Sequence, residues 1–386
     1  MASRPRVLLA VLVYGGGDFV GRCVHSATRV EGAECEVRAI VLDDCTPDDD
    51  WSAELRRLCR SLGVDYYRAP RNLGIPRNMN LALGFGVEAG YDYVVLVNSD
   101  TILPSNLGAE IVKIAEAHPE IGSITAWSNN VSIFSLENAD PGRFLERDGL
   151  VDWISSTLCD EFGPEPIDTP SAVGFCLAIP TRAVREVGYM DPVFGRGYCE
   201  EIDWSQRSRR LGFRIALAPS VFVYHMGSAS SLAAGLLEGG DTTVPRNERI
   251  IDYRYPSFRR DVGEYAASQI PDRISRAAHR RLVLQAARDR GYAIEATNLT
   301  SAPTSDEALF TIEPDGRDGR VRGVFAGFST SFDDVADPIG RLEELTGRKP
   351  TRIVLRDFGA AATRLLEAAT AKGLDATEAR MYPERV

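Results

Sequence analysis

No run of apolar residues in the chain is long enough to cross a bilayer, and no two cysteines are spaced as a Cys-x-x-Cys pair. The seven cysteines stand at 23, 35, 45, 59, 159, 176 and 199. An odd, scattered set of this kind argues against a disulfide framework and against a thiolate zinc site. A reducing cytoplasm is the simplest setting for it. An excess of positive charge is also missing, since the formal net charge is −11. Such a surface repels a phosphate backbone, so nucleic acid is not an expected partner. A small anionic ligand stays compatible, because a metal ion or a local basic cluster can hold it inside an acidic protein. Internal repeats and low-complexity tracts are absent as well.

What is there fits an ordinary globular enzyme. The 386 residues are 44% hydrophobic and 26% charged, enough for one large domain with a sizeable core and a smaller one. The apolar run 7–13 ends at Tyr14-Gly15-Gly16-Gly17 and reads as a buried first strand, not as a signal-peptide core. Further strands are expected at 37–42, 64–68, 93–98 and 121–126, with helices at 18–30, 50–62, 75–89 and 105–118. Pro76 and Pro104 suit the first turns of the last two helices, where a missing N–H costs nothing. The runs 7–13 and 93–98 are nearly continuous in Val, Leu and Ile, as in strands covered on both faces. This alternation predicts an α/β fold, a mostly parallel central sheet with helices on both faces.

Residues 127–168 read as an irregular, aromatic-containing insertion. A strand at 171–179, a helix at 181–187, a loop at 191–198, a helix at 200–211 and strands at 213–217 and 221–225 follow. Gly227-Ser228-Ala229-Ser230-Ser231 and Gly239-Gly240 mark a mobile stretch, and 241–272 is polar with little periodicity. From 273 on, an Arg-rich helix (274–290), strands near 292–298, 308–313, 321–328, 352–356 and 375–381, and helices at 337–347 and 360–372 make a small C-terminal α/β domain. The expected division is a catalytic domain over 1–240, a linker or lid over 241–272, and the small domain over 273–386.

Ligands of such sheets sit at the carboxyl ends of the strands. Tyr14, Asp43 and Asp44, and Asn98-Ser99-Asp100 occupy those ends. A carboxylate at such a tip suits Mg²⁺ or Mn²⁺, hard cations that also take diphosphate oxygens, although a turn Asp capping the next helix has the same look. Glu200, Glu201 and Asp203 open a helix after a Gly-rich loop. Acids favour helix N-termini through the macrodipole, and two adjacent carboxylates also suit general-base work. His225, one of four histidines, ends a strand before Gly227 and Ser228; a lone His is more often structural, but this place beside a carboxylate suits a metal ligand. Arg71-Asn72-Leu73-Gly74-Ile75-Pro76-Arg77-Asn78-Met79-Asn80 opens a helix, whose free N–H groups would suit a diphosphate or simply be capped.

In order and spacing these pieces resemble the family 2 glycosyltransferases of the GT-A fold, including bacterial rhamnosyl- and galactofuranosyl-type enzymes. The resemblance covers about 6–230. It is carried by Tyr14-Gly15, Leu42-Asp43-Asp44, Asn72 to Asn80, Asn98-Ser99-Asp100, Gly174 to Ile179, Val187 to Phe194, Glu200 to Arg207, and His225. It implies an inverting transfer of sugar from a UDP- or dTDP-linked donor to an acceptor hydroxyl. Tyr14, Asp43, Asp44, Arg71, Asn72, Gly74, Arg77, Asn78, Asn98, Ser99 and Asp100 would face the nucleotide sugar. Asp100 and His225 would hold Mg²⁺ or Mn²⁺, and Glu201 or Glu200 would be the base, where the family usually has Asp. Gly174, Phe175 and Trp204 would lie on the acceptor side. The acceptor would be a glycan, a lipid-linked glycan or a natural product.

Two other readings share the fold: a nucleotidyltransferase that makes sugar nucleotides, and a non-catalytic nucleotide-sugar-binding module. The first would carry a basic phosphate loop after strand one, whereas Gly15-Gly16-Gly17 meets no Lys or Arg until Arg22. The second would have no need of Asp100, Glu201 and His225 together. The arginines 273, 276, 280, 281, 288 and 290 suit peripheral contact with anionic lipid, though a solvated helix face explains them more simply. The C-terminal region is open to acceptor binding, to covering the site or to a homodimer interface.

Overall fold

A computed structural model describes residues 4–17, 19–131, 133–227, 244–296, 307–312, 320–333, 335, 337–355 and 360–378. The chain divides into two compact units, Met1–Leu136 with Asp148–Pro271, and Glu137–Arg147 with Asp272–Val386. Among the described residues no helix is long and apolar enough to cross a membrane.

The first unit begins with β1 (Arg6–Val13), α1 (Phe19–Ala27), β2 (Glu36–Asp43), α2 (Asp49–Leu62), β3 (Asp65–Arg68), α3 (Ile75–Glu88) and β4 (Tyr93–Asn98). Each strand feeds a helix that returns the chain to pair the next strand in parallel, with β1 central between β2 and β4. There follow β5 (Thr101–Ile102), α4 (Leu107–Ala117), β6 (Ile121–Trp127), α5 (Arg143–Glu146, in the second unit), α6 (Leu150–Phe162), β7 (Ile167–Asp168), β8 (Cys176–Pro180), α7 (Thr181–Val187), α8 (Glu200–Arg210), β9 (Arg214–Phe222), β10 (Tyr224–His225), α9 (Val244–Arg254) and α10 (Phe258–Ala267). The sheet order is β3-β2-β1-β4-β8-β6-β9-β7. Only β8 and β7 run against the rest. This is the mostly parallel α/β sheet that the sequence predicts.

Alternate residues of the central strands build two cores. Val7, Leu9, Val11, Val95 and Val97 pack with Val20 and Val24 of α1, Leu55 of α2 and Ile111 of α4. Leu8, Ala10, Val94 and Leu96 pack on the other face with Met79 and Leu83 of α3, Val184 of α7 and Trp204 of α8. A strand buried on both faces has no polar positions to spare, so its first polar group stands beyond its carboxyl end.

Four expectations differ from the fold. Pro104 precedes α4, which starts only at Leu107. The strand expected from 171 starts at Cys176, after an irregular approach. The insertion is not wholly irregular: α6 buries Leu150, Ile154 and Leu158. Residues 244–267, expected as part of a linker, form α9 and α10 and belong to the first unit. Most of the Gly- and Ser-rich stretch after Gly227 lies outside the described residues.

The second unit holds α11 (Ile270–Arg290) from Asp272 onward, and a mixed sheet. Its strands are β11 (Tyr292–Ala296), β12 (Ala308–Ile312), β13 (Val321–Phe325), β14 (Phe328–Phe332), β15 (Arg352–Leu355) and β16 (Ala376–Glu378), in the order β14-β13-β12-β11-β15-β16. The helices 338–346 and 360–371 complete this small α/β unit, as the sequence predicts.

Candidate active site

The turn after β4 sets the first half of the site. Thr101 Oγ1 donates to the Asn98 carbonyl at 2.9 Å, closing Asn98-Ser99-Asp100 into a tight bend. The chain then enters β5, which pairs antiparallel with β10 so that Thr101 stands opposite His225. That two-residue ribbon brings Asp100 to His225: Oδ1 and Nε2 are 3.4 Å apart. The Met226 N–H also donates to the Asp100 carbonyl, at 2.9 Å.

His225 is held on every side. Its N–H donates to Asn129 Oδ1 at 2.9 Å, and Asn129 Nδ2 returns a bond to its carbonyl at 3.0 Å. Nδ1 lies 2.8 Å from the Asn130 carbonyl, which can only accept, so Nδ1 carries the proton and Nε2 is turned toward Asp100. The ring stacks on Phe175 at 5.1 Å. Burial pushes the imidazole down, but the Asp100 carboxylate and the Asn130 carbonyl push it further up, so it sits above its ordinary value.

Asp100 is only 3% exposed, yet neither carboxylate oxygen has a hydrogen-bond partner, and neither does His225 Nε2. Buried polar atoms are almost always satisfied, and an orphaned carboxylate facing an imidazole nitrogen is a donor set made for a cation. No cluster of three or more His, Cys, Asp and Glu side chains set for a metal occurs among the described residues. A cation held by this pair therefore has coordination positions left for ligand oxygens and water.

The second half of the site opens α8. Tyr198 and Cys199 both have left-handed backbone, φ 73° and 75°, and deliver the chain directly into Glu200. Glu200 is buried and its Oε2 has no partner, while Glu201 is half-buried. Burial drives both carboxyls up: Glu200, which also feels the charge of Glu201, lies well above its ordinary value, and Glu201 reaches about 7 against the pull of its own N–H and that of Ile202. Asp100, His225, Glu200 and Glu201 line one cleft of about 390 Å³, together with Asn98, Gly174, Phe175, Tyr198, Asn130 and apolar Ile75, Met79, Val131 and Val173.

Other residues expected at the site are placed differently. Asp43 is fully buried and spends both oxygens within the fold, on the Thr46 N–H and hydroxyl, the Ser52 hydroxyl and the Tyr66 hydroxyl. Asp44 accepts from the Leu73 and Gly74 N–H groups at 2.7 and 2.9 Å; burial raises its carboxyl to about 6 despite them. The Leu73 and Gly74 amides before α3 are thus spent on Asp44, and the Ile75 N–H is given to the Arg196 carbonyl. Arg71, Asn72 and Arg77 there are exposed. Asn78 is buried and donates to the Leu42 carbonyl, with its Oδ1 unpartnered, as is Ser99 Oγ. Tyr14 is half-buried. Trp204 is a correction: it has no solvent contact, packs in the α3–α7 core and donates Nε1 to the Gly188 carbonyl at 2.9 Å, so it does not line the cleft.

Sequence reasoning missed the support behind α8. Asp203 is fully buried and accepts from Arg254 at 2.7 Å, Tyr255 at 2.8 Å and Arg207 at 2.8 Å. Arg254 also reaches Asp191 at 2.8 Å, and Arg207 donates to the Val187 and Tyr189 carbonyls. No local pattern in the sequence signals this support, since Arg254 and Tyr255 lie about 50 residues from Asp203.

Residues 9–160 match the family model described as Glycosyl transferase family 2. Among solved structures the chain is similar to GalNAc-T7 with UDP, GalNAc and Mn²⁺, at 13% identity over 66% of this chain and 49% of that one, TM-score 0.47. It is similar to the mannosyltransferase PcManGT from Pyrobaculum calidifontis in complex with GDP-Man and Mn²⁺, at 16% identity over 75% and 76% of the two chains, TM-score 0.42. It is also similar to S. aureus TarS 1–349 in complex with UDP, at 12% identity over 66% and 72%, TM-score 0.42. The chain spans about half the length of the first of these. No curated protein sequence matches it.

Proposed function

We propose that the chain is an inverting glycosyltransferase that moves a sugar from a nucleoside diphosphate to an acceptor hydroxyl with the help of a divalent cation. The observation that carries this is the shared cleft: an unpartnered carboxylate beside an imidazole, Asp100 and His225, and a second pair of acids, Glu200 and Glu201, all lining one concavity at the sheet's rim. The family 2 match over residues 9–160 supports the same reading.

Asp100 and His225 would hold Mg²⁺ or Mn²⁺, which when bound neutralises the charge of the departing diphosphate. Asn98 lines the same cleft, and Arg71 before α3 and Arg77 in its first turn stand exposed to the solvent from which an anionic donor arrives. Glu201, with Glu200 as its neighbour, takes the proton of the acceptor hydroxyl; that oxygen attacks the anomeric carbon in line as the bond to the diphosphate breaks. A carboxyl raised toward neutrality is a stronger base than a solvated one and still largely ionised above pH 7. Gly174 and Phe175, with Val131 and Val173, offer the acceptor side a narrow apolar wall. The donor we favour is UDP- or dTDP-linked, as in the rhamnosyl- and galactofuranosyl-type enzymes that the sequence resembles.

The test is to incubate the full chain with a panel of UDP- and dTDP-sugars and Mn²⁺, and to measure nucleoside diphosphate release by chromatography. Slow release that disappears in chelator and in Asp100→Ala is the expected result. Pyrophosphate formed from a sugar 1-phosphate and a nucleoside triphosphate, with no turnover of any nucleotide sugar, would replace this reading with nucleotidyl transfer.

A further inference from the structure

Behind the loop that delivers Glu200 and Glu201 sits a side chain that does not line the cleft. Asn247 of α9 is fully buried, and its Nδ2 lies 2.9 Å from the Phe194 carbonyl, 2.8 Å from that of Gly197 and 3.0 Å from that of Tyr198. We propose that Asn247 is a positioning residue for the Glu200–Glu201 pair, its amide pinning the 194–198 turn from which α8 starts.

Three carbonyls converge on one NH₂ group because three of the five turn residues, and Cys199 after them, have positive φ. Gly195, Gly197, Tyr198 and Cys199 have φ 65°, 136°, 73° and 75°. Glycine tolerates such angles, but Tyr and Cys rarely adopt them, and they persist only where the surroundings dictate the conformation. The surroundings here are two helices. On one side the Ile75 N–H at the start of α3 donates to the Arg196 carbonyl at 3.2 Å, and a methyl group on Gly74 would overlap the Gly195 carbonyl. On the other side stands Asn247. The Phe194 carbonyl also accepts from the Gly197 N–H at 3.2 Å, but the amide of Asn247 is the donor that ties all three carbonyls together beside the apolar side chains of Phe194, Cys199, Ile251, Tyr255 and Phe258, where losing a buried donor is costly.

Packing alone does not account for the residue. Asn247 Oδ1 is buried with no partner, a cost that a Leu or Ala at the same place would avoid. What an apolar side chain cannot supply is the donor. Because Cys199 is the only residue between the turn and Glu200, a shift of the turn reaches the two carboxyls undamped.

The assignment of a base role to those carboxyls rests on the function proposed above, so the experiment has one arm that does not need it. Asn247→Asp keeps the shape and removes both donors; Asn247→Ala removes the group and serves if the buried acid prevents folding. Leu158→Ala, a buried residue of α6, is the control for general loss of stability. The first measurement is tryptic cleavage of the full chain after Arg196, which is exposed within the turn. Cleavage there is expected to quicken at least about tenfold in the Asn247 variants, through local opening, and not in the control. The second is turnover of the nucleotide sugar. There kcat is expected to fall about 10–100-fold while the donor KM stays within about twofold, as for a catalytic group moved by a fraction of an ångström to 1 Å. Cleavage and kcat matching those of Leu158→Ala would overturn the proposal. If the unaltered chain turns over no nucleotide sugar, the function reading fails, and the cleavage arm still decides whether Asn247 pins the turn.

Discussion

Replacing Asp203 by Asn removes a negative charge from a place with no solvent contact. Asp203 Oδ1 accepts from Arg254 and from the Tyr255 hydroxyl, and Oδ2 from Arg207. An Asn keeps one acceptor oxygen, so in either orientation its NH₂ points at a guanidinium or at the pair Arg254–Tyr255. At least one charged hydrogen bond is lost, about 1.5–3 kcal/mol, and a buried ion pair is broken, about 3–5 kcal/mol where no water reaches. Both arginines keep roughly a third of their side-chain surface in solvent, 28% and 34%, which screens the remainder. The lower end, about 3 kcal/mol, is therefore expected, or roughly 10 °C in Tm for a unit of this size. Asp191→Asn is the matched comparison, since it too loses a carboxylate from Arg254, but at a place that is 31% exposed and leaves Arg254 with Asp203. It should cost about 1 kcal/mol or less. Thermal unfolding followed by tryptophan fluorescence reads both, because Trp204 adjoins Asp203 on α8. Equal shifts from the two variants would refute the idea that Asp203 anchors α8.

Turnover should rise with pH through about 7, as Glu201 ionises, and Glu201→Gln should lower kcat by about 10²–10⁴-fold; a flat pH–rate profile from 6 to 8 would count against the base assignment. Stability should move the other way. Glu201 and Asp44 bind protons more tightly folded than unfolded, so their contribution is full below the ordinary carboxylate range and is lost as pH climbs through about 6 to 7, and Glu200 acts in the same sense; denaturant midpoints at pH 5.5 and 7.5 test the sign. Gly227→Ala should weaken Mn²⁺ binding about 10–100-fold by calorimetry, because a methyl group at this left-handed residue (φ 84°) would overlap the Asn130 amide, whose backbone carbonyl orients His225.

The strand-end logic singled out Asp100 and His225, and the structure sets the two side chains 3.4 Å apart. Central strands buried on both faces leave their first polar residue at the rim, and a rim acid with a rim imidazole is a short list. The same logic overreached at Asp43, which also ends a strand but turns back into the fold to bond Thr46, Ser52 and Tyr66. Position along a strand fixes where a side chain starts, and the neighbours that fold beside it decide what it bonds. Trp204 shows the other limit: although only three residues from Glu201 on α8, it packs wholly into the core. The supports Asn247, Arg254 and Tyr255 were illegible for a physical reason. Their partners lie about 50 residues away and are mostly backbone carbonyls or a buried acid, which no local periodicity encodes.

Calorimetric titration of UDP or dTDP into the full chain, with Mn²⁺ and with chelator, bears most directly on the central claim. If Asp100 and His225 hold the cation on which a diphosphate rests, binding is strong only with Mn²⁺ and is lost in both Asp100→Ala and His225→Ala, while Glu201→Gln still binds. Nucleotide binding of equal strength in chelator, or unchanged by removing either Asp100 or His225, would contradict it.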